Sequence, residues 1–104
     1  MSLRNQILDI AMNLNRVGGW AADDYEKKSK RIRLFLAQTS QYLNSLNLSL
    51  LPGPFKKTFT RFLSDYNRLE KQRLTAPQDR LEWAERMMTW GNILTHRSRL
   101  IKSR

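Results

Sequence analysis

Apolar residues recur along this chain at the period of an α-helix, in four segments divided by turn-forming residues. In the first, about residues 3–17, Leu3, Ile7, Ile10, Leu14 and Val17 fall on one helix face. Ser2 is placed to cap its start. Gly18-Gly19 is expected to end it, because glycine accepts the left-handed conformation of a C-cap. Trp20 should then fold back onto the core. The second segment, about 24–48, opens on Asp23 with Glu26 three residues on, a capping-box-like start. Ile32, Leu36, Thr39, Leu43, Leu46 and Leu50 carry its stripe, which Phe35 and Tyr42 widen. Such a helix would be about 36 Å long at 1.5 Å per residue.

Leu51-Pro52-Gly53-Pro54 then forces a turn, since proline removes donors and biases the residue before it away from helix. The third segment, about 54–73, shows a clean stripe of Phe55, Phe59, Phe62, Tyr66 and Leu69, with Leu63 beside it. The fourth, about 76–102, starts with Thr75 as N-cap, Pro77 in the first turn and Gln78 at the third position. Trp83, Met87, Trp90, Leu94 and Ile101 share one broad side. Ala84, Gly91 and Ser98 lie between them, small enough to let a neighbouring helix approach closely.

Short connections favour antiparallel neighbours, so the pattern predicts an all-α fold, a small up-down bundle of about four helices. The alternative is an open helical hairpin that completes its core by dimerisation, because segments two and four are longer than segment one. The 104 residues suffice for a single domain, 1–104. Such a domain buries roughly 60–70% of the surface its unfolded chain exposes. The chain has no cysteine, which excludes disulfides, thiolate metal sites and thiol nucleophiles. With no apolar leader at the N-terminus, a cytoplasmic location is expected. The longest apolar run, Leu34 to Ala37, is far short of the roughly 20 residues that span a bilayer.

A search for catalytic chemistry finds little. The single histidine, His96, falls on the polar side of segment four, beside Arg97 and Arg99 and with no acid after Glu85. A histidine base normally has an orienting carboxylate. A solvated ring or a phosphate contact suits His96 better. Asp23, Asp24 and Glu26 are explained by capping. Glu82 and Arg86 make an ordinary i, i+4 pair. Gly18-Gly19 lies in no phosphate-loop or dinucleotide pattern. No enzyme activity, cofactor or metal site is expected.

Charge changes the picture most. Lys and Arg number 19 against 9 acids, a formal net charge of +10 with pI near 10.7. Such a charge attracts anions at long range and speaks to partners rather than to fold. It divides into three features. Lys27, Lys28, Lys30, Arg31 and Arg33 crowd the start of segment two, where cations oppose the helix dipole at about 0.3–1 kcal/mol each. Lys28 falls on the apolar side there, so the core should begin near Ile32. On segment three, Lys57, Arg61, Ser64, Arg68 and Lys71 form a stripe opposite the phenylalanines, with Asp65 and Glu70 at its flanks. Cations one helical turn apart can meet successive phosphates, and a hydroxyl such as Ser64 often joins them. The third feature is the C-terminus, with Arg97, Arg99, Lys102 and Arg104.

The expected function is non-enzymatic binding of the phosphate backbone of nucleic acid, DNA or RNA, as a small subunit or accessory factor of a larger assembly. Lys27, Lys30, Arg31, Lys57, Arg61, Ser64, Arg68, Lys71, Arg97 and Arg99 are the candidate contacts. Neither a helix-turn-helix nor an RNP-type aromatic motif is present, so base specificity is not expected. Trp20, Tyr25, Trp83 and Trp90 are stacking candidates that a core explains better. The rival reading is a protein-interaction or regulatory adaptor module for an acidic partner, or a homodimer. Ile93 and Leu100 lie off the core stripe of segment four and are its candidate interface, with Leu8 and Met12 also off-stripe. An anionic membrane suits the charge but not the apolar pattern, which is committed to a core. In size, helical class and charge the chain is similar to small helical subunits of ribonucleoprotein assemblies, including those of CRISPR effector complexes. No motif carries that likeness.

Overall fold

The glycine pair does not stop the first helix. A computed structural model describes residues 2–72 and 79–101, and among these it forms four α-helices and no strand. Helix α1 runs Leu3–Asp24, straight through Gly18 and Gly19, instead of ending at 17. Ser2 caps its start, its hydroxyl accepting from Asn5 N at 3.1 Å. Gly18 serves contact, not termination. A Cβ there would clash with Met88 Cγ and lie 2.8 Å from the Ala84 carbonyl oxygen, both on α4 (Arg80–Arg97). Gly91 of α4 meets α1 the same way, since a Cβ there would lie 2.8 Å from the Asn15 side chain. The small residues of segment four do admit a close neighbour, and that neighbour is α1.

Helix α2 runs Ser29–Ser45, starting later than 24 and ending before 48. The acids expected to cap it cap a turn instead. Asp24 Oδ1 accepts from Lys27 N at 3.1 Å, and the Asp23 carboxylate pairs with Lys28 Nζ at 2.6 Å. The helix is therefore about 25 Å long by its rise per residue, not 36 Å. Beyond it, Asn47 accepts from Ser49 N at 3.1 Å and starts a 3-10 turn, Leu48–Leu50. That turn swings Leu50 out of the expected stripe to 63% exposure, while Leu46 and Leu51 stay buried.

Helix α3 runs Gly53–Gln72 and buries Phe55, Phe59, Phe62, Tyr66 and Leu69. Helix α4 starts at Arg80, capped by Asp79, whose side chain accepts from Glu82 N at 2.9 Å. The start expected from Thr75, Pro77 and Gln78 lies outside the described residues. The helix ends at Arg97, short of 102. There the Ser98 hydroxyl donates to Thr95 O at 2.6 Å, a local bond that competes with the helix ladder. A 3-10 turn, Ser98–Leu100, then returns Ile101 to the core.

Cross-helix contacts fix the arrangement. Asn13 Nδ2 on α1 donates to Gln38 Oε1 and Thr39 Oγ1 on α2, at 3.0 and 3.3 Å, and Trp20 packs edge-on against Phe35 at 4.8 Å. The Tyr66 hydroxyl of α3 donates to Leu36 O of α2 at 3.2 Å. Trp83 Nε1 of α4 donates to Leu69 O of α3 at 2.8 Å, and Phe62 meets Trp90 at 5.6 Å. Successive helices are thus antiparallel, and α4 closes against α1: an all-α up-down bundle, 40 Å in its longest dimension. Its upper end holds the α1–α2 turn, the end of α3 and the start of α4. Its lower end holds the N-terminus, the α2–α3 link and the end of α4. Among the described residues, no helix is long and apolar enough to cross a membrane.

Candidate nucleic-acid interface

The phenylalanine stripe of α3 turns its opposite face outward, which leaves Lys57, Arg61, Ser64, Arg68 and Lys71 exposed. Arg68 is nevertheless engaged, because its guanidinium pairs with Asp65. Asp65 is not a surface flank. Only 8% exposed, it sits at the seam of α3 and α4, where it also accepts from Arg86 Nη2 at 2.8 Å, Arg86 Nε at 3.2 Å and Trp90 Nε1 at 2.6 Å. Burial pushes its pKa up. The bonds from Trp90, Arg86 and Arg68 outweigh that, and the carboxyl ends below its ordinary value. Arg86, expected to pair along its own helix with Glu82, crosses to this acid instead. Sequence reading missed the hub, although a signal was present. Asp65 stands at i+3 from Phe62 and i−4 from Leu69, inside the buried stripe.

The upper basic cluster is interleaved with acids and rings. Lys27 and Lys30 are exposed, and Lys28 is tied to Asp23. Arg31 lies over the Trp20 ring at 5.9 Å. Arg80 lies over Tyr25 at 5.2 Å and pairs with Glu26. Tyr25 and Trp83 are buried, whereas Trp20 and Trp90 are half-buried.

The lower end differs. Of the nine acids, Asp23, Asp24 and Glu26 lie at the α1–α2 turn, and Glu70 near the end of α3. Asp79, Glu82 and Glu85 lie before or within the first turns of α4, and Asp65 is buried just above mid-bundle. Only Asp9, on α1, belongs to the lower half. That half carries Arg4, Lys56, Lys57, Arg61, Arg97 and Arg99. The signal lay in the acid-free tracts 27–64 and 86–104: the antiparallel fold brings residues 38–61 of the first and 91–101 of the second to one end, while Lys27, Lys30 and Arg31 stay at the other. Of these lower cations, Arg4 and Lys56 were not among the sequence candidates.

Between α3 and α4 at this end runs a shallow groove of about 450 Å³. Trp90, Ile93 and Thr58, all half-buried, form its floor, and the exposed Arg61, Asn92, His96 and Arg97 form its walls. It joins the α3 stripe to the basic end of α4, so Arg61 and Arg97 face one space. Ile93 is thus a groove residue, not a free surface apolar. Leu100 is 45% exposed and lines a second shallow depression with His96, Arg97 and Arg99. Met12 is exposed and Leu8 half-buried. Chemically, the lower end offers guanidinium and ammonium groups for oxyanions beside an apolar shelf. No protein-family model matches the chain, and no curated protein or solved structure matches it either.

Proposed function

We propose that this protein is a non-enzymatic binder of the nucleic-acid phosphate backbone, without base specificity, working as a small subunit or accessory factor of a larger assembly. One observation carries the reading. Lys57, Arg61, Arg97 and Arg99 stand exposed together at an end whose single acid is Asp9. The described ion pairs of Lys28, Arg68, Arg80 and Arg86 all use acids away from that end. Helix dipoles account for part of this charge, since Arg97 complements the end of α4. They do not account for Lys56 and Lys57, which oppose the dipole near the start of α3, where the first turn holds no acid. A polyanion would offset that cost.

Ser64 and Lys71 continue the path along α3 toward the upper end. Lys27, Lys30 and Arg31 are secondary contacts, because Asp23, Asp24 and Glu26 beside them weaken the local attraction for phosphate. The test is a fluorescence-anisotropy titration of a labelled oligonucleotide. About four neutralised phosphates should weaken binding roughly a hundredfold between about 50 and 200 mM salt. No binding at the lower salt would sink the reading.

A further inference from the structure

The α3–α4 groove has more than charge in it, and we infer that it is a site for one unstacked nucleotide, so that the nucleic acid is bound as a single strand. This rests on the backbone-binding reading and sharpens it. A groove of about 450 Å³ lies within the range of about 300–1,000 Å³ common for small-molecule sites. Its floor supplies an apolar and aromatic shelf in Trp90 and Ile93. The shelf is rigid before any ligand arrives, because Trp90 Nε1 is bonded to buried Asp65 at 2.6 Å and its ring packs against Phe62. A pre-set aromatic surface loses little freedom on binding. Every nucleobase has an apolar face that such a surface accepts without regard to sequence. Arg61 and Arg97, on opposite walls, are placed for the phosphates on either side of that base. A duplex keeps its bases stacked and could use only the arginines.

The polar groups of the groove favour a base over the apolar face of an acidic helix. Thr58, Asn92 and His96 would be left unpaired beneath leucines, at a cost in desolvation. The edge of a base carries donors and acceptors that satisfy them. The groove is also short. Its α4 side extends from Trp90 to Arg97 and its α3 side from Thr58 to Arg61, a length of about one to two helical turns.

The experiment uses the whole chain with three probes: a labelled unstructured oligothymidylate, a duplex of the same length and a polyglutamate peptide. Ile93→Ser removes the apolar shelf beside Trp90, and Asn92→Ala removes a wall donor at an exposed position. Neither changes the net charge. Single-strand affinity should fall about fivefold or more in Ile93→Ser, the scale of losing a side chain's apolar contact with the base. It should fall a few-fold in Asn92→Ala. Duplex affinity should stay within about twofold in both variants. Equal losses on both nucleic acids, or no loss on the single strand in either variant, would overturn the inference and leave backbone binding standing. Polyglutamate binding that Ile93→Ser abolishes, with nucleic-acid binding untouched, would assign the groove to an acidic helix and overturn it too. Absence of binding to both nucleic acids by the unmodified protein at low salt removes the parent reading itself.

Discussion

Asp65 shows how one side chain can hold both a seam and a surface. It draws Arg86 and Trp90 of α4 and Arg68 of α3 onto a single carboxylate. Arg68 and Arg86 are partly solvated, so screening limits what each adds. The indole bond, from a half-buried donor, is less screened. Asp65→Asn should cost about 1.5–3 kcal/mol in a urea melt, the range for hydrogen bonds to a charged group. An unchanged midpoint would remove the hub from the account of stability. The pH dependence follows from the sign of the shift. A folded pKa below the unfolded value means the contribution is complete above about pH 4 and is lost as the pH falls through the folded value. The acid limb of the stability profile should therefore be shallower in Asp65→Asn. At this scale the apolar stripe of α3 was readable in the sequence, and Phe55, Phe59, Phe62, Tyr66 and Leu69 are all buried as their spacing requires, whereas Leu50, set on the stripe of segment two, is exposed. It was not readable for Asp65, because an acid at a stripe position looks like a flank until a partner helix supplies its donors.

Helices carry a second lesson. Local propensity predicts a stop at Gly18, and the contact that overrules propensity lies on α4, far along the chain. The two glycines should respond in opposite directions. Gly18→Ala drives a methyl into Met88 and the Ala84 carbonyl, at about 1–3 kcal/mol, the usual penalty of overpacking. Gly19→Ala enters open space within a helix and should stabilise by about 0.5–1 kcal/mol. Thermal melts of the two variants decide it, and similar effects from both would mean that the α1–α4 crossing is not as close as described. The boundaries of α2, Ser29–Ser45, differ from the expected 24–48 for a related reason. Asp23 and Asp24 can cap a helix or a turn with equal chemistry, and here they cap a turn beside Tyr25, whose ring packs against Trp83 of α4 at 5.6 Å.

The molecule as a whole has two ends of different electrical character. Sequence showed the amount of positive charge and its clusters. It did not show that antiparallel folding gathers residues 38–61 and 91–101 of the acid-free tracts at the lower end, since that depends on which helices run up and which run down. Trp90 and Ile93 joined the candidate site for the same reason, because a groove between helices belongs to neither helix alone. If the lower end is where phosphate binds, charge must matter by place and not only by sum.

One anisotropy titration at about 50 mM salt tests this directly, comparing two variants that lose equal charge. The first reverses Lys57, Arg61, Arg97 and Arg99 to Glu, and the second reverses Lys27, Lys30, Arg31 and Arg33 to Glu. Lower-end reversal should abolish binding, while upper-end reversal should weaken it by no more than about tenfold, the effect of reduced long-range attraction. Equal losses from the two, or a greater loss from the upper-end variant, would contradict a phosphate-binding surface at the lower end.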